Sequence, residues 1–211
     1  AVSIVPPELR RTLYSPDFLR LRGDYRAEQA FEDCMRSAQA RSGLDRAQYA
    51  DLKFWLPGGS SVPLLLDEHL DLPLTYEAIA EAGSMLGTGT PMLFDDTTSV
   101  VKAITRWLEF YKHESCGKCT PCREGTFWIT GTLQKFEEGR GEAPEVDRLV
   151  ELCNQIMGRS FCALGDAAAT PYPAALKYFR GEFEAALTQP PDQVFDPAAT
   201  MIIPSLSGAD A

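Results

Sequence analysis

The chain has 211 residues, of which 45% are hydrophobic and 24% charged, with a formal net charge of -10. That length holds one domain or two small ones, with a core that needs no disulfides, and the composition is ordinary for a globular protein. The acidic balance argues against a nucleic-acid partner, and the best apolar run, residues 62–66, is far too short to span a membrane as a helix.

The first residues, Ala1-Val2-Ser3-Ile4-Val5-Pro6-Pro7, lack an initiator Met and the charged region and apolar core of a secretory signal. A processed, trimmed or partial chain is expected. Residues 1–50 form a charged, Arg-rich segment with one expected helix at about 25–40. Ala30, Phe31, Cys34, Met35 and Ala38 recur there at helical spacing. Cys34 is expected on the buried face of that helix.

Residues 51–98 read as a small β-rich unit. Leu52-Lys53-Phe54-Trp55-Leu56 is an expected strand that stops at the turn Pro57-Gly58-Gly59-Ser60-Ser61. Residues 62–66 are either a second strand or an apolar segment packed against the first. A second glycine-rich turn, Gly83-Ser84-Met85-Leu86-Gly87-Thr88-Gly89, precedes Pro91-Met92-Leu93-Phe94. Neither turn matches a nucleotide-binding pattern in a strand-to-helix setting, so both read as turns of a small sheet.

Residues 99–188 are helical in pattern. Thr98 or Ser99 caps a helix whose apolar stripe is Val100, Val101, Ile104, Trp107, Leu108 and Tyr111. A second helix is expected at about 123–136, ending near Gly139-Arg140-Gly141. Pro144 begins a third, with Val146, Leu149, Val150, Cys153, Ile156 and Met157 as its stripe and Gly158 as its stop. Thr170, with Pro171 and Pro173, opens a fourth that runs to about residue 187 and carries Leu176, Phe179, Phe183 and Leu187 on one face. Four helices joined by short links suggest a bundle. Residues 189–211 are expected to form an extended tail, with Met201-Ile202-Ile203 as a clip onto a partner surface.

Chemistry is concentrated in four cysteines. Cys116, Cys119 and Cys122 lie in the run Glu114-Ser115-Cys116-Gly117-Lys118-Cys119-Thr120-Pro121-Cys122-Arg123-Glu124-Gly125. Cys162 follows in Ser160-Phe161-Cys162-Ala163-Leu164-Gly165-Asp166, with 39 residues between it and Cys122. A cubane iron–sulfur cluster needs one thiolate per iron, and C-x2-C-x2-C lets one short loop supply three corners. The competing reading is a structural zinc site, which usually takes two separated C-x2-C pairs; three thiols in one block and one alone favour the cluster. Thiols at such spacing are poor disulfide partners, and a thiolate site needs a reducing compartment, here expected to be the cytoplasm.

Cys153 sits on an apolar stripe and reads as core. Lys118 and Arg123 either raise a cluster's potential or are solvated and paired with Glu114 and Glu124. His113, three residues before Cys116, reads as a helix-end residue. Neither it nor His69 belongs to a catalytic set. No paired carboxylates, nucleophile motif or Ser/His/Asp set emerges, so no catalytic residue is expected.

The two cysteine motifs resemble those of the F-type, NADH-binding flavoprotein subunit of respiratory complex I, NADH:quinone oxidoreductase. The glycine turns at 57–61 and 83–89 are similar to turns of that family's ubiquitin-like, soluble-ligand-binding β-grasp domain. The likeness runs from about residue 53 to 187. NAD-reducing hydrogenases and NAD-linked formate dehydrogenases have similar diaphorase subunits. The resemblance implies that Cys116, Cys119, Cys122 and Cys162 ligate one [4Fe–4S] cluster in a four-helix bundle, which takes electrons from FMN reduced by NADH and passes them toward further clusters and quinone. It also implies other iron–sulfur subunits as partners and a peripheral place on the cytoplasmic side of the inner membrane. The family's glycine-rich G-R-G-G-A-G-F-P stretch, which precedes the β-grasp domain, has no counterpart in residues 1–52. FMN and NAD(H) are therefore implied for the complete flavoprotein but fall on no residue here.

The expected architecture is α+β: a partial β-grasp unit, then a four-helix bundle carrying an iron–sulfur cluster. The expected function is electron transfer within an NADH:quinone oxidoreductase. The alternatives are a diaphorase-type subunit of an NAD-linked hydrogenase or formate dehydrogenase, and a non-catalytic zinc module.

Overall fold

The computed structural model describes residues 2–3, 26, 52–89, 91–96 and 98–191. The expected clip at 201–203 and, apart from Arg26, the expected helix at 25–40 with Cys34 lie outside the described residues; Arg26 pairs with Pro73 in an antiparallel bridge. The architecture is α+β.

Strand β1 (Val2–Ser3) and strand β2 (Leu52–Leu56) flank β3 (Met92–Asp95), antiparallel to it on both sides, in the order β1-β3-β2. Phe54, Trp55 and Leu56 are buried in succession, because β2 is covered on both faces. Alternation of side chains along the strand sends Phe54 and Leu56 into the main core. Trp55 points the other way, into a smaller cluster with Leu65, Leu74, Ile79 and Leu86.

The two readings left open for residues 62–66 resolve in favour of a packed apolar segment. Trp55 and Leu65 exchange both backbone hydrogen bonds at 2.8 Å, and the pairing goes no further. The chain then turns through a 3-10 helix (Asp67–His69) into α1 (Tyr76–Glu81). This short helix was not expected in a β-rich unit. Thr75 starts it, its side chain accepting the Ala78 N–H at 3.2 Å, and Ile79 alone anchors it in the smaller core.

Four longer helices follow: α2 (Val100–Glu114), α3 (Thr120–Glu137), α4 (Ala143–Ile156) and, after the short α5 (Leu164–Ala169), α6 (Pro171–Ala186). Ser99 caps α2 by accepting the Lys102 N–H, and the predicted stripe is buried, Trp107 only in part. Ile104, Leu108, Ile129, Leu133, Phe136, Val146, Tyr172 and Phe183 are fully buried together. Each such side chain contributes about 1.5–3 kcal/mol of burial. Tyr172 meets Phe183 edge to face and donates its hydroxyl to the Val146 carbonyl at 2.8 Å, so the buried oxygen is satisfied.

Three helix expectations need correction. Helix α3 begins at Thr120, not near 123, because Pro121 stands in its first turn, where a missing N–H costs nothing. Met157 leaves the α4 stripe: it is the C-cap residue in extended geometry and is exposed. Phe179 interrupts α6 with non-helical angles (φ -123°, ψ 27°), its ring lying against Phe54 at 5.7 Å. Helix α5 was missed; six residues rich in Ala carry no amphipathic period.

The two glycine turns read from the sequence clasp one another. A Cβ on Gly58 would run into the Leu86 carbonyl, and one on Gly87 (φ +53°) would lie 2.9 Å from the Gly58 oxygen. Only glycine permits backbones this close. Among the described residues no helix is long and apolar enough to cross a membrane.

Candidate metal centre

Helix α2 ends at Glu114, and Ser115 turns the chain into extended geometry toward Cys116. Gly117 has φ +74°, a conformation that any other residue would adopt only with strain. The Arg123 guanidinium reaches back to donate to the Gly117 carbonyl at 2.7 Å, while its Nε donates to Glu124 Oε1 at 2.7 Å. Arg123 therefore clamps the loop as well as placing a cation beside it. The expected pairing of Arg123 with Glu124 is present, while Glu114 takes His113 as its partner at 3.1 Å.

Cys119 is the N-cap residue of α3 and offers no side-chain cap, so the first-turn N–H groups of that helix open toward the thiol region. Cys122 lies inside the first turn and is buried, whereas Cys116 is exposed and Cys119 half-buried. The Ser115 hydroxyl stands 3.3 Å from the Cys122 sulfur and accepts the Gly117 N–H at 3.4 Å.

The fourth thiol arrives on the link between α4 and α5. Gly158, with φ +68°, ends the α4 turn and donates its N–H to Asp166 Oδ1 at 2.6 Å, which ties the link to α5. The Phe161 N–H then donates to the Cys119 sulfur at 3.4 Å, across 42 positions of sequence. That contact brings the 160–162 segment against the N-terminus of α3. Cys162 is exposed beside it.

Two glycines mark close packing one turn past the cysteine motifs. Gly125 and Gly165 stand three residues after Cys122 and Cys162 respectively. A Cβ on Gly125 would strike Ile156 Cδ1, whereas one on Gly165 would strike Ser160 Oγ and lie at ordinary contact distance, 3.5 Å, from Ile156 Cγ2. Ile156 is thus wedged between the helix that carries Cys122 and the one that follows Cys162.

The donor set suits a [4Fe–4S] cluster. It supplies one thiolate per iron, an N–H already directed at a sulfur, and a helix N-terminus that favours anionic charge. Ser160 Oγ, two residues from Cys162, is buried with no hydrogen-bond partner among the described residues, as a donor awaiting an acceptor would be. The four sulfurs are not drawn to one point: among the described residues no three His, Cys, Asp or Glu side chains stand close enough to share a metal ion.

Other sequence candidates fall away from the centre. Cys153 is buried in the main core, and burial pushes its thiol up to about 12, which keeps it protonated. His69 accepts the Leu66 N–H at 3.3 Å on its 3-10 helix, and His113 is exposed in the last turn of α2. Sequence reasoning missed the roles of Ser115 and Ser160. The matched glycines at 125 and 165 were the available signal, since a glycine one turn past each cysteine motif points to close approach.

Residues 102–186 match the family described as the NADH-ubiquinone oxidoreductase-F iron–sulfur binding region. Among curated proteins, the chain is similar to the F subunit of NADH-quinone oxidoreductase in Mycobacterium bovis, at 54% identity over 160 residues, covering 76% of this chain and 35% of that protein. It is similar to the protein of the same name in Streptomyces coelicolor at 58% identity over 137 residues, covering 65% of this chain and 30% of the other. The chain thus spans about a third of the length of the curated relatives it matches. Among solved structures, an NAD+-reducing [NiFe]-hydrogenase in the H2-reduced state matches with a TM-score of 0.59 at 32% identity, covering 68% of this chain and 24% of the hydrogenase chain.

Proposed function

Residues 102–186 of this chain belong to the NADH-ubiquinone oxidoreductase-F iron–sulfur binding family, and on that premise we propose that the chain is an electron-transfer part of an NADH:quinone oxidoreductase. Cys116, Cys119, Cys122 and Cys162 would hold one [4Fe–4S] cluster within a four-helix bundle made by α2, α3, α4 and α6. Such a cluster supplies reversible one-electron chemistry.

The observation that carries this reading is the Phe161 N–H to Cys119 sulfur contact. It joins the two cysteine motifs in space with the donor type that stabilises thiolate charge. The chain's own residues orient and shield the sulfurs: Arg123 fixes the loop, the α3 N-terminus adds positive potential, and burial of Cys122 limits water on one side.

In this reading residues 51–98 are a partial β-grasp unit, and the partners are other iron–sulfur subunits. FMN and NAD(H) belong to the complete flavoprotein or its complex, which would sit peripherally on the cytoplasmic side of the inner membrane. A diaphorase subunit of an NAD-linked hydrogenase is favoured by the structural match to the hydrogenase chain, but its 32% identity stands well below the 54% and 58% to the quinone-linked relatives.

Iron, zinc and sulfide analysis of the full chain purified without oxygen tests the proposal. About four irons per chain, with a paramagnetic signal on reduction, are expected. Zinc with no iron would establish the structural zinc module instead. Cys162→Ser is expected to lose most of the iron, and unchanged iron would remove Cys162 from the ligand set.

A further inference from the structure

Of the thiols expected to bind, Cys122 is the one the fold buries, and the Ser115 hydroxyl lies against it at 3.3 Å. Ser115 Oγ accepts the Gly117 N–H at 3.4 Å, which occupies a lone pair and leaves the hydroxyl proton free to turn toward sulfur. Gly117 is held in place on its other side by Arg123, bonded to its carbonyl at 2.7 Å. The arrangement is therefore directional: Arg123 fixes Gly117, Gly117 orients Ser115, and Ser115 faces Cys122.

Resting on the cluster reading above, we propose that Ser115 is a positioning residue whose hydroxyl donates to the Cys122 thiolate and raises the reduction potential of the bound group. A reduced cluster carries one more negative charge than an oxidised one, shared with its ligand sulfurs. A donor aimed at a ligand sulfur favours the reduced state, and more strongly where water is excluded. Cys122 is the site where that lever is longest. Cys116 and Cys162 are exposed, so solvent already supplies donors to them.

The test compares four full chains loaded with iron and sulfide under anaerobic conditions: wild type, Ser115→Ala, Ser115→Thr and Ser115→Val. Iron content is measured first, then the potential by redox titration followed by electron paramagnetic resonance. The expected result is full loading in all four, with Ala and Val shifted to lower potential and Thr close to wild type. At a fixed potential the oxidised-to-reduced ratio should rise about tenfold without the hydroxyl, which for one electron corresponds to about 59 mV. Equal potentials in Thr and Val would overturn the proposal while leaving the cluster itself intact. So would failure of both hydroxyl-free variants to load while Thr loads fully, since that makes Ser115 an assembly residue. A wild-type chain holding zinc and no iron would sink the cluster reading and this inference with it.

Discussion

Lys53 on β2 and Glu182 on α6 form the pair that ties the sheet to the helices, with Nζ 2.5 Å from Oε1. Each partner does a second job. Lys53 also donates to the Thr98 carbonyl at 2.8 Å, and Glu182 Oε2 accepts the Val100 N–H at 3.2 Å, at the positive N-terminus of α2. Glu182→Ala should therefore lower the unfolding free energy by about 1–2 kcal/mol, from a lost acceptor and a lost favourable charge. Glu182→Gln should lose less, because it keeps the acceptor. Urea unfolding of both variants checks this, and equal losses would remove the hydrogen bond to Val100 from the account.

Two glycines of α3 should respond in opposite directions. Gly125 faces Ile156 with no room for a Cβ, whereas a Cβ on Gly131 would meet nothing within 4 Å among the described residues. Gly125→Ala should destabilise by about 1–3 kcal/mol through overpacking. Gly131→Ala should stabilise by about 0.5–1 kcal/mol through helix propensity alone. Thermal unfolding of the pair separates the effects, and a harmless Gly125→Ala would mean that α3 and α4 are not so close.

Alkaline stability carries a signature of Cys153. Burial raises its thiol from 9.0 to about 12, so the folded chain keeps a proton that the unfolded chain releases. The stabilising contribution is complete below pH 9 and declines as pH rises toward 12. Tyr172, also raised by burial from an ordinary value of 10.0, adds a loss of the same sign that sets in above pH 10. Unfolding free energies measured from about pH 8 to about pH 11 should fall less steeply in Cys153→Ala than in wild type. Parallel curves would show that the thiol does not titrate differently on unfolding.

Ser160 offers a test in the metal-free chain. Its buried hydroxyl has no partner among the described residues, and desolvation is then uncompensated. Ser160→Ala should leave metal-free stability unchanged or raise it by up to about 1 kcal/mol. A clear loss, read by chemical denaturation after chelation, would mean that the hydroxyl does have a protein partner.

Sequence pattern carried the helical half well because its signals are long. The stripe from Val100 to Tyr111 repeats over three turns, and Ser99, Pro144 and Pro171 mark starts with stereochemical force. What escaped was short or nonlocal. Helices α1 and α5 have six residues each, too few to show a period. Phe179 has a perfect helical address, yet it departs from the helix where its ring meets Phe54, a residue 125 positions earlier. Spacing picked out the four cysteines as candidate ligands, and folding brings their two motifs into contact at Phe161 and Cys119. Their hydroxyl neighbours were not legible, because Ser115 and Ser160 look like any loop serine until the chain is folded.

Ile156 belongs to neither cysteine motif, yet its side chain fills the space beside Gly125, one turn past Cys122. It acts as a gauge block: α3 is machined down to glycine where it seats on α4. The seat of the helix that carries Cys122 is thus a packing dimension, one that Ile156→Val or Ile156→Phe would change without replacing a single cysteine or charged residue.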